Sequence, residues 1–495
     1  MLPIIIFALL SLLNLATSSS QSQADPSVPS ANPPLTPVCI IGSGVGGSSV
    51  AHFLRLYSTA PVGDIRIFER HNVVGGRMAT VMVAGDVFEA GASILHPKNF
   101  HALNFSKLLN LTIKKPSSSS FSFGIWDGGK FIFKTLNSKT KFPIFDKIVS
   151  LTNSVIMFFR YGFSLFRMNN FVERTVDNFL KYYASFESRP VFETVDEMLK
   201  WSSLYNLTGR TLQEELIDAQ LSPLLIQELV TVITRINYGQ SVSISGLAGA
   251  VSLAGSGGGL WSIKGGNWQI AAGLINNSEV ALHLKEEIES ISNLGAHYEL
   301  NSTKGSRYTC RITVVGTPLD ELNIHFNPPI SIPPRKLQRT HATFVRGLLN
   351  PAYFGMEAIS EIPELVGTIE DPDLPFTSIS VLKQYNETEI TYKIFSRESM
   401  SDTILDHIFS ARRETIRINW AAYPHYSAPE VFAPFILDGE HLYYINAFEN
   451  AASTIETSAV AAENIARLIL SRSFGQLPSN LKSSTPDEGG LHLDL

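Results

Sequence analysis

Close to the start of the chain the hydrophobic pattern changes period twice. Val38-Cys39-Ile40-Ile41 is an unbroken apolar run, the pattern of a parallel strand buried on both faces. It enters Gly42-Ser-Gly44-Val-Gly46-Gly47, and then Val50, Phe53, Leu54 and Tyr57 recur at helical spacing. Ile65, Ile67 and Phe68 make a second strand, which ends on Glu69. The pattern predicts strand, glycine turn, helix and strand, the opening of an α/β dinucleotide-binding fold. Gly42 permits the tight turn, Gly44 lets backbone approach a pyrophosphate, and Gly47 lets helix pack on strand. The helix start offers unpaired N–H groups to phosphate. Glu69 offers acceptors to ribose hydroxyls.

Glu69-Arg70-His-Asn-Val-Val-Gly75-Gly76-Arg77 resembles the E-R-x(4)-G-G-R segment of flavin amine oxidases, phytoene desaturases and their relatives. The resemblance implies FAD rather than NAD. It implies that Gly76 and Arg77 lie along the pyrophosphate and flavin side, where Arg77 offsets phosphate charge. The small turn Glu89-Ala-Gly91-Ala92-Ser93 matches the one placed beside the isoalloxazine, with Glu89 a weaker candidate contact. Trp261 to Trp268, with Lys264 before Gly265-Gly266, resembles the second glycine pair of that superfamily. Leu284 to Ile291 resembles the strand that pairs with adenine through Ile288, and Thr313 to Leu319 a strand end near the flavin. In the C-terminal block, Glu449 takes the place of a hydroxyl-binding acid. Thr454 and Ile455 take that of a helix start facing the flavin.

These blocks imply a Rossmann-like FAD-binding domain in three parts, residues 37–100, 251–320 and 436–473. A mixed α+β substrate domain then occupies 101–250 and 321–435. Within it, Val155 to Phe166 is strongly apolar around one arginine; core or tunnel lining is the favoured reading, a lipid-facing surface the alternative. Residues 1–20 read as a secretory signal, 21–36 as a linker and 474–495 as a disordered tail. Sequons start at Asn104, Asn110, Asn206, Asn276, Asn301 and Asn386, which suits N-glycosylation and passage through the secretory pathway. Cys39 and Cys310 lie in apolar strand-like runs; two buried small residues are the favoured reading, and a bridge, which an oxidising compartment permits, is the alternative.

Composition narrows the function. A net charge of −6 with no basic stripe argues against nucleic acid. No His/Cys/Asp/Glu cluster has metal-ligand spacing. A charged fraction of 17% leaves room for an apolar ligand.

A narrower resemblance rests on FEAGASILHPKN, ELVTVITRINYGQ and LYYINAFENAASTIETS. These segments are similar to the prenylcysteine oxidase family, also called farnesylcysteine lyases. That implies oxidative cleavage of S-prenyl-L-cysteine, farnesyl favoured, with FAD, water and oxygen, in a lysosome or vacuole. Arg235, Arg339 and His341 are candidates for the substrate carboxylate, and Lys264 for a water near the flavin. Catalytic residues stay unassigned. The rival readings are another flavin oxidoreductase and a prenyl-binding protein resembling Rab GDP-dissociation inhibitors.

Overall fold

The computed structural model describes residues 37–58, 62–115, 122–136, 143–185 and 188–474. The expected signal, linker and tail beyond Phe474 lie outside the described residues. Five parallel strands form the first layer: β1 (Val38–Ile41), β2 (Ile65–Glu69), β3 (Ala281–Leu284), β4 (Ile312–Val315) and β5 (Leu442–Tyr444). Their order is β5-β4-β1-β2-β3, so the connection reverses direction between β1 and β4. Such a switch point opens a crevice at the carboxyl ends of the strands. All four residues of β1 and of β4 are buried, which explains the unbroken apolar run of β1 and the single polar residue, Thr313, in β4.

Helix α1 (Val45–Tyr57) follows β1 directly and packs beside a long C-terminal helix (Ile455–Phe474). Ala459, Ala461, Ala462 and Ala466 are fully buried in that helix, and their small side chains admit the close approach. A seven-stranded mixed sheet forms a second layer from residues 123–134 and 337–424. Strands of the two sheets therefore alternate along the chain.

Three sequence expectations need correction. Leu284 to Ile291 is not one strand: β3 stops at Leu284, Lys285 has φ +54°, and a separate strand begins at Ile288. Cys39 and Cys310 are joined as a disulfide, with Cα atoms 5.8 Å apart. The reason is non-local. Val38 registers with Ile312, and Arg311 N donates to Pro37 O at 2.8 Å, which carries Cys310 to the start of β1.

The third concerns Val155 to Phe166. Helices α2 (Pro143–Tyr161) and α3 (Ser164–Leu180) meet at a 99° bend. Val155, Phe158, Phe159, Phe163 and Phe166 are exposed rather than core. Among the described residues no single helix is long and apolar enough to cross a membrane.

Candidate active site

The glycine turn after β1 is shaped by contacts that leave no room for side chains. Gly42 has φ +102°, and a Cβ on Gly47 would lie 2.1 Å from the Gly42 carbonyl oxygen. Gly44 differs. A Cβ there would meet nothing closer than 3.9 Å, and that neighbour is the Gly75 carbonyl. Gly75 N donates to Ser43 O at 3.1 Å, so the Gly75-Gly76 turn lies against the start of α1. Two glycine backbones thus face a cradle that a side chain would fill, at the positive end of a helix. The carboxylate of Glu69 closes one side. It accepts from Ser43 N at 3.1 Å, Ser43 Oγ at 2.6 Å and His71 N at 2.9 Å. A carboxylate has about four acceptor positions, which leaves one for a ribose hydroxyl. Glu286 N donates to the Glu69 backbone carbonyl at 2.8 Å, which ties the turn before Ile288 to the end of β2; Ile288 itself is buried. Arg70 is exposed and donates to His71 Nε2 at 3.2 Å.

Beyond the cradle stands a buried charge cluster. Arg77 donates to Ala422 O at 2.7 Å and pairs with Glu449 Oε1 at 2.5 Å. Arg335 pairs with Glu449 Oε2 at 3.0 Å, and Asn446 and Ser453 also donate to this carboxylate. Burial alone would push Glu449 up, but Arg77 and Arg335 hold it down to about 2. The carboxylate is therefore charged and fixed, and it orients both arginines.

A cavity of about 530 Å³ extends from this point. Ala92, Ser93, Thr454 and Ile455 all line it, as the sequence grouped them. The Gly91 turn is tight: a Cβ there would lie 1.9 Å from Arg77 O. The wall continues over Phe179, Leu247, Val251, Leu382 and Phe395, all apolar. One end is polar. Lys393 is buried and donates to Glu89 O at 3.0 Å and Ser93 Oγ at 3.3 Å. Burial lowers its ammonium to about 8. Glu89 Oε1 accepts from Asn267 N at 2.7 Å, while its buried Oε2 has no partner. Burial raises this carboxyl to about 7.

The three candidates for the substrate carboxylate and Lys264, the candidate for a flavin-side water, fall elsewhere, none of them lining the cavity. Arg235 is buried but bonded to Glu370 at 2.6 Å and Thr368 at 2.9 Å, a structural pair. Arg339 is exposed beside Glu321, His341 is half-buried, and Lys264 is exposed. Sequence reasoning missed Lys393 and Arg335. Lys393 shares its strand's parity with Glu389 and Thr391 and reads as solvent-facing. That face is covered by the Thr80–Val83 and Asp86–Glu89 hairpin, which the alternation cannot reveal. Arg335 follows two prolines in an irregular stretch with no periodic signal.

The glycine cradle, the free acceptor on Glu69 and the cavity beside the C-terminal helix start fit a flavin dinucleotide. Fold and site define a FAD-dependent oxidoreductase on the amine-oxidase fold. Cyclohexylamine oxidase from Brevibacterium oxydans superposes with a TM-score of 0.59 at 15% identity, covering 89% of this chain and 99% of that one. A putrescine oxidase gives 0.56 at 12%, covering 88% and 99%; both are likenesses of fold. A NAD(P)-binding Rossmann-like domain model matches residues 40–108, and the prenylcysteine lyase model matches residues 144–479. Farnesylcysteine lyase of Arabidopsis thaliana is 64% identical over 92% of both chains. Human prenylcysteine oxidase 1 is 32% identical over 92% of both. The chain belongs to the prenylcysteine lyase family.

Proposed function

We propose that this enzyme cleaves S-prenyl-L-cysteine with oxygen and water to a prenyl aldehyde, cysteine and hydrogen peroxide. One observation carries the reading: a largely apolar cavity of about 530 Å³ is lined by the Lys393 ammonium and the Glu89 carboxyl beside the Gly91–Ser93 turn. When bound, FAD supplies a two-electron acceptor that oxygen restores. The chain's residues bind, orient and exclude. Phe179, Leu247, Val251 and Leu382 take the isoprenoid, and Lys393 and Glu89 face the zwitterionic cysteine. Lys393 meets the α-carboxylate, and the unpartnered Glu89 Oε2 accepts from the α-ammonium. The apolar walls keep bulk water from the carbon beside sulfur, admitting the one molecule that hydrolysis needs. We assign farnesyl as the prenyl group, after the Arabidopsis relative.

The proposed setting is the secretory pathway, ending in a lysosome or vacuole. The Cys39–Cys310 disulfide supports an oxidising compartment, and Asn110, Asn206, Asn276 and Asn386 are exposed for glycan transfer. Anaerobic addition of farnesylcysteine to the purified yellow protein tests the activity. Flavin absorbance at its visible maximum is expected to bleach and to return with air. A protein that bleaches with a polyamine and not with farnesylcysteine would overturn the assignment.

A further inference from the structure

The α2–α3 hairpin carries an apolar face that the cavity does not use. Ile148, Leu151, Val155, Phe158 and Phe159 recur at helical spacing along α2, and Phe163 and Phe166 continue the face past the bend. All seven are exposed, Phe159 by 84% and Phe163 by 71%. Phe158, Phe163 and Phe166 cluster at the tip, with ring centroids 5.4 to 6.3 Å apart. Exposed Leu224 lies on the segment tied to the start of α3, where Ser222 N donates to Ser164 Oγ at 2.9 Å. A contiguous apolar patch of this kind marks an interaction surface rather than scattered surface residues.

Charge decides what the surface fits. From Ile148 to Val172 the chain has no Asp or Glu, although its net charge is −6. The two charges in that stretch are arginines. Arg160 is clamped by Glu228 at 2.6 and 2.7 Å, which anchors the tip to the body. Arg167 is exposed at the rim and donates to Gln220 O at 2.6 Å. Two helices bent by 99° cannot thread a bilayer as one span, but their exposed faces can lie along its surface. We propose that this face docks on a lipid bilayer bearing acidic headgroups, with the aromatic tip at the acyl boundary and Arg167 at headgroup level. Helix α3 connects the docked face to the site. Its later residues Thr175, Val176 and Phe179 line the cavity. Phe166 and Thr175 are about 14 Å apart along the helix at ~1.5 Å per residue. A ligand dissolved in lipid would thus reach the cavity wall along one helix. That last step rests on the prenylcysteine reading; docking does not.

Vesicle co-sedimentation of the full-length, FAD-loaded protein is the test, with phosphatidylcholine vesicles and with vesicles that also contain phosphatidylserine. The wild type is expected in the pellet with phosphatidylserine vesicles and to bind less well without them. The F159S/F163S/F166S variant should bind about tenfold more weakly or worse, since each ring removed forfeits interfacial burial. Its flavin spectrum, melting temperature and turnover of detergent-dissolved farnesylcysteine should stay at wild-type values, because none of the three lines the cavity. A wild type that remains in the supernatant, or a variant that binds as well, overturns the proposal. Equal binding to both vesicle types overturns the part given to acidic headgroups. A dimer that the variant breaks, without vesicle binding, assigns the face to a second copy instead. Failed flavin bleaching would tell against the substrate reading and leave the vesicle result standing.

Discussion

Gly44 and Gly47 stand in one turn, yet replacing each with alanine should damage different things. A methyl on Gly47 would sit 2.1 Å from the Gly42 carbonyl oxygen and 3.1 Å from Ile40 Cγ2. Backbone cannot yield as a side-chain tip does, so α1 must move off β1 by about 1 Å. Overpacking of this kind costs about 1–3 kcal/mol or more. Gly47→Ala should therefore lower the melting temperature of the apoprotein. A methyl on Gly44 clears every atom by 3.9 Å, and its φ of −71° suits any residue. Gly44→Ala should melt within about 0.5 kcal/mol of wild type. Its methyl, however, enters the cradle opposite Gly75 and Gly76. Lifting a pyrophosphate off two N–H groups forfeits two charge-assisted bonds of about 1.5–3 kcal/mol each. The sum, about 3–6 kcal/mol, is a loss of about 10²- to 10⁴-fold in FAD affinity. Titrating apoprotein with FAD by flavin fluorescence, beside an apoprotein melt, separates the two effects. A Gly44→Ala protein that holds FAD within about threefold of wild type would refute the cradle. So would a Gly47→Ala apoprotein that melts unchanged, for the packing argument.

Lys393→Met should cut kcat/KM for S-farnesyl-L-cysteine by about 10- to 100-fold, the worth of one charged hydrogen bond. It should cut it much less for a farnesyl thioether without the carboxylate; equal losses would remove the anchoring role. Burial raises Glu430 from its ordinary 4.5 to about 7. Its share of stability, at most about 3 kcal/mol, is then complete below pH 4.5 and lost as pH rises through 7. Denaturant midpoints should show Glu430→Gln losing that part of the pH dependence, and an unchanged profile would contradict it. The paired substitution C39S/C310S opens a disulfide spanning 271 residues of sequence and should cost about 3–5 kcal/mol by the same measurement. No shift in the midpoint would show that the link adds nothing to the folded state.

The parts of the fold that speak in sequence are those where one residue type has one physical use. Gly42 and Gly47 announced strand, turn and helix because no side chain fits at either position, and Gly44 because a side chain there would fill the cradle. Glu449 was legible through its neighbours, whereas Arg335, its partner, came from another segment and carried no pattern. Lys393 was missed because alternation reports only which residues share a face, not what covers that face. The cysteines were misjudged because local hydrophobicity says nothing about a partner 271 residues away. The Val155–Phe166 run looked like core since composition cannot tell an inner apolar face from an outer one.

The alternation of the two sheets along the chain sets the order in which the protein can be assembled. Strand β1 is flanked by β2, made at once, and by β4 and then β5 on its other side. The roughly 400 residues between Val38 and Leu442 take about 20–80 s to emerge at about 5–20 residues per second. Throughout that time one side of the nascent nucleotide layer is an open edge. Thr454 and Ile455, the positions expected to face the flavin, are made later still, at the start of the final helix. A chain stopped short of residue 442 carries the complete glycine turn but lacks the last strand and the helix that packs on α1. The parallel layer is therefore complete only at a single late event, the pairing of its last strand with β4.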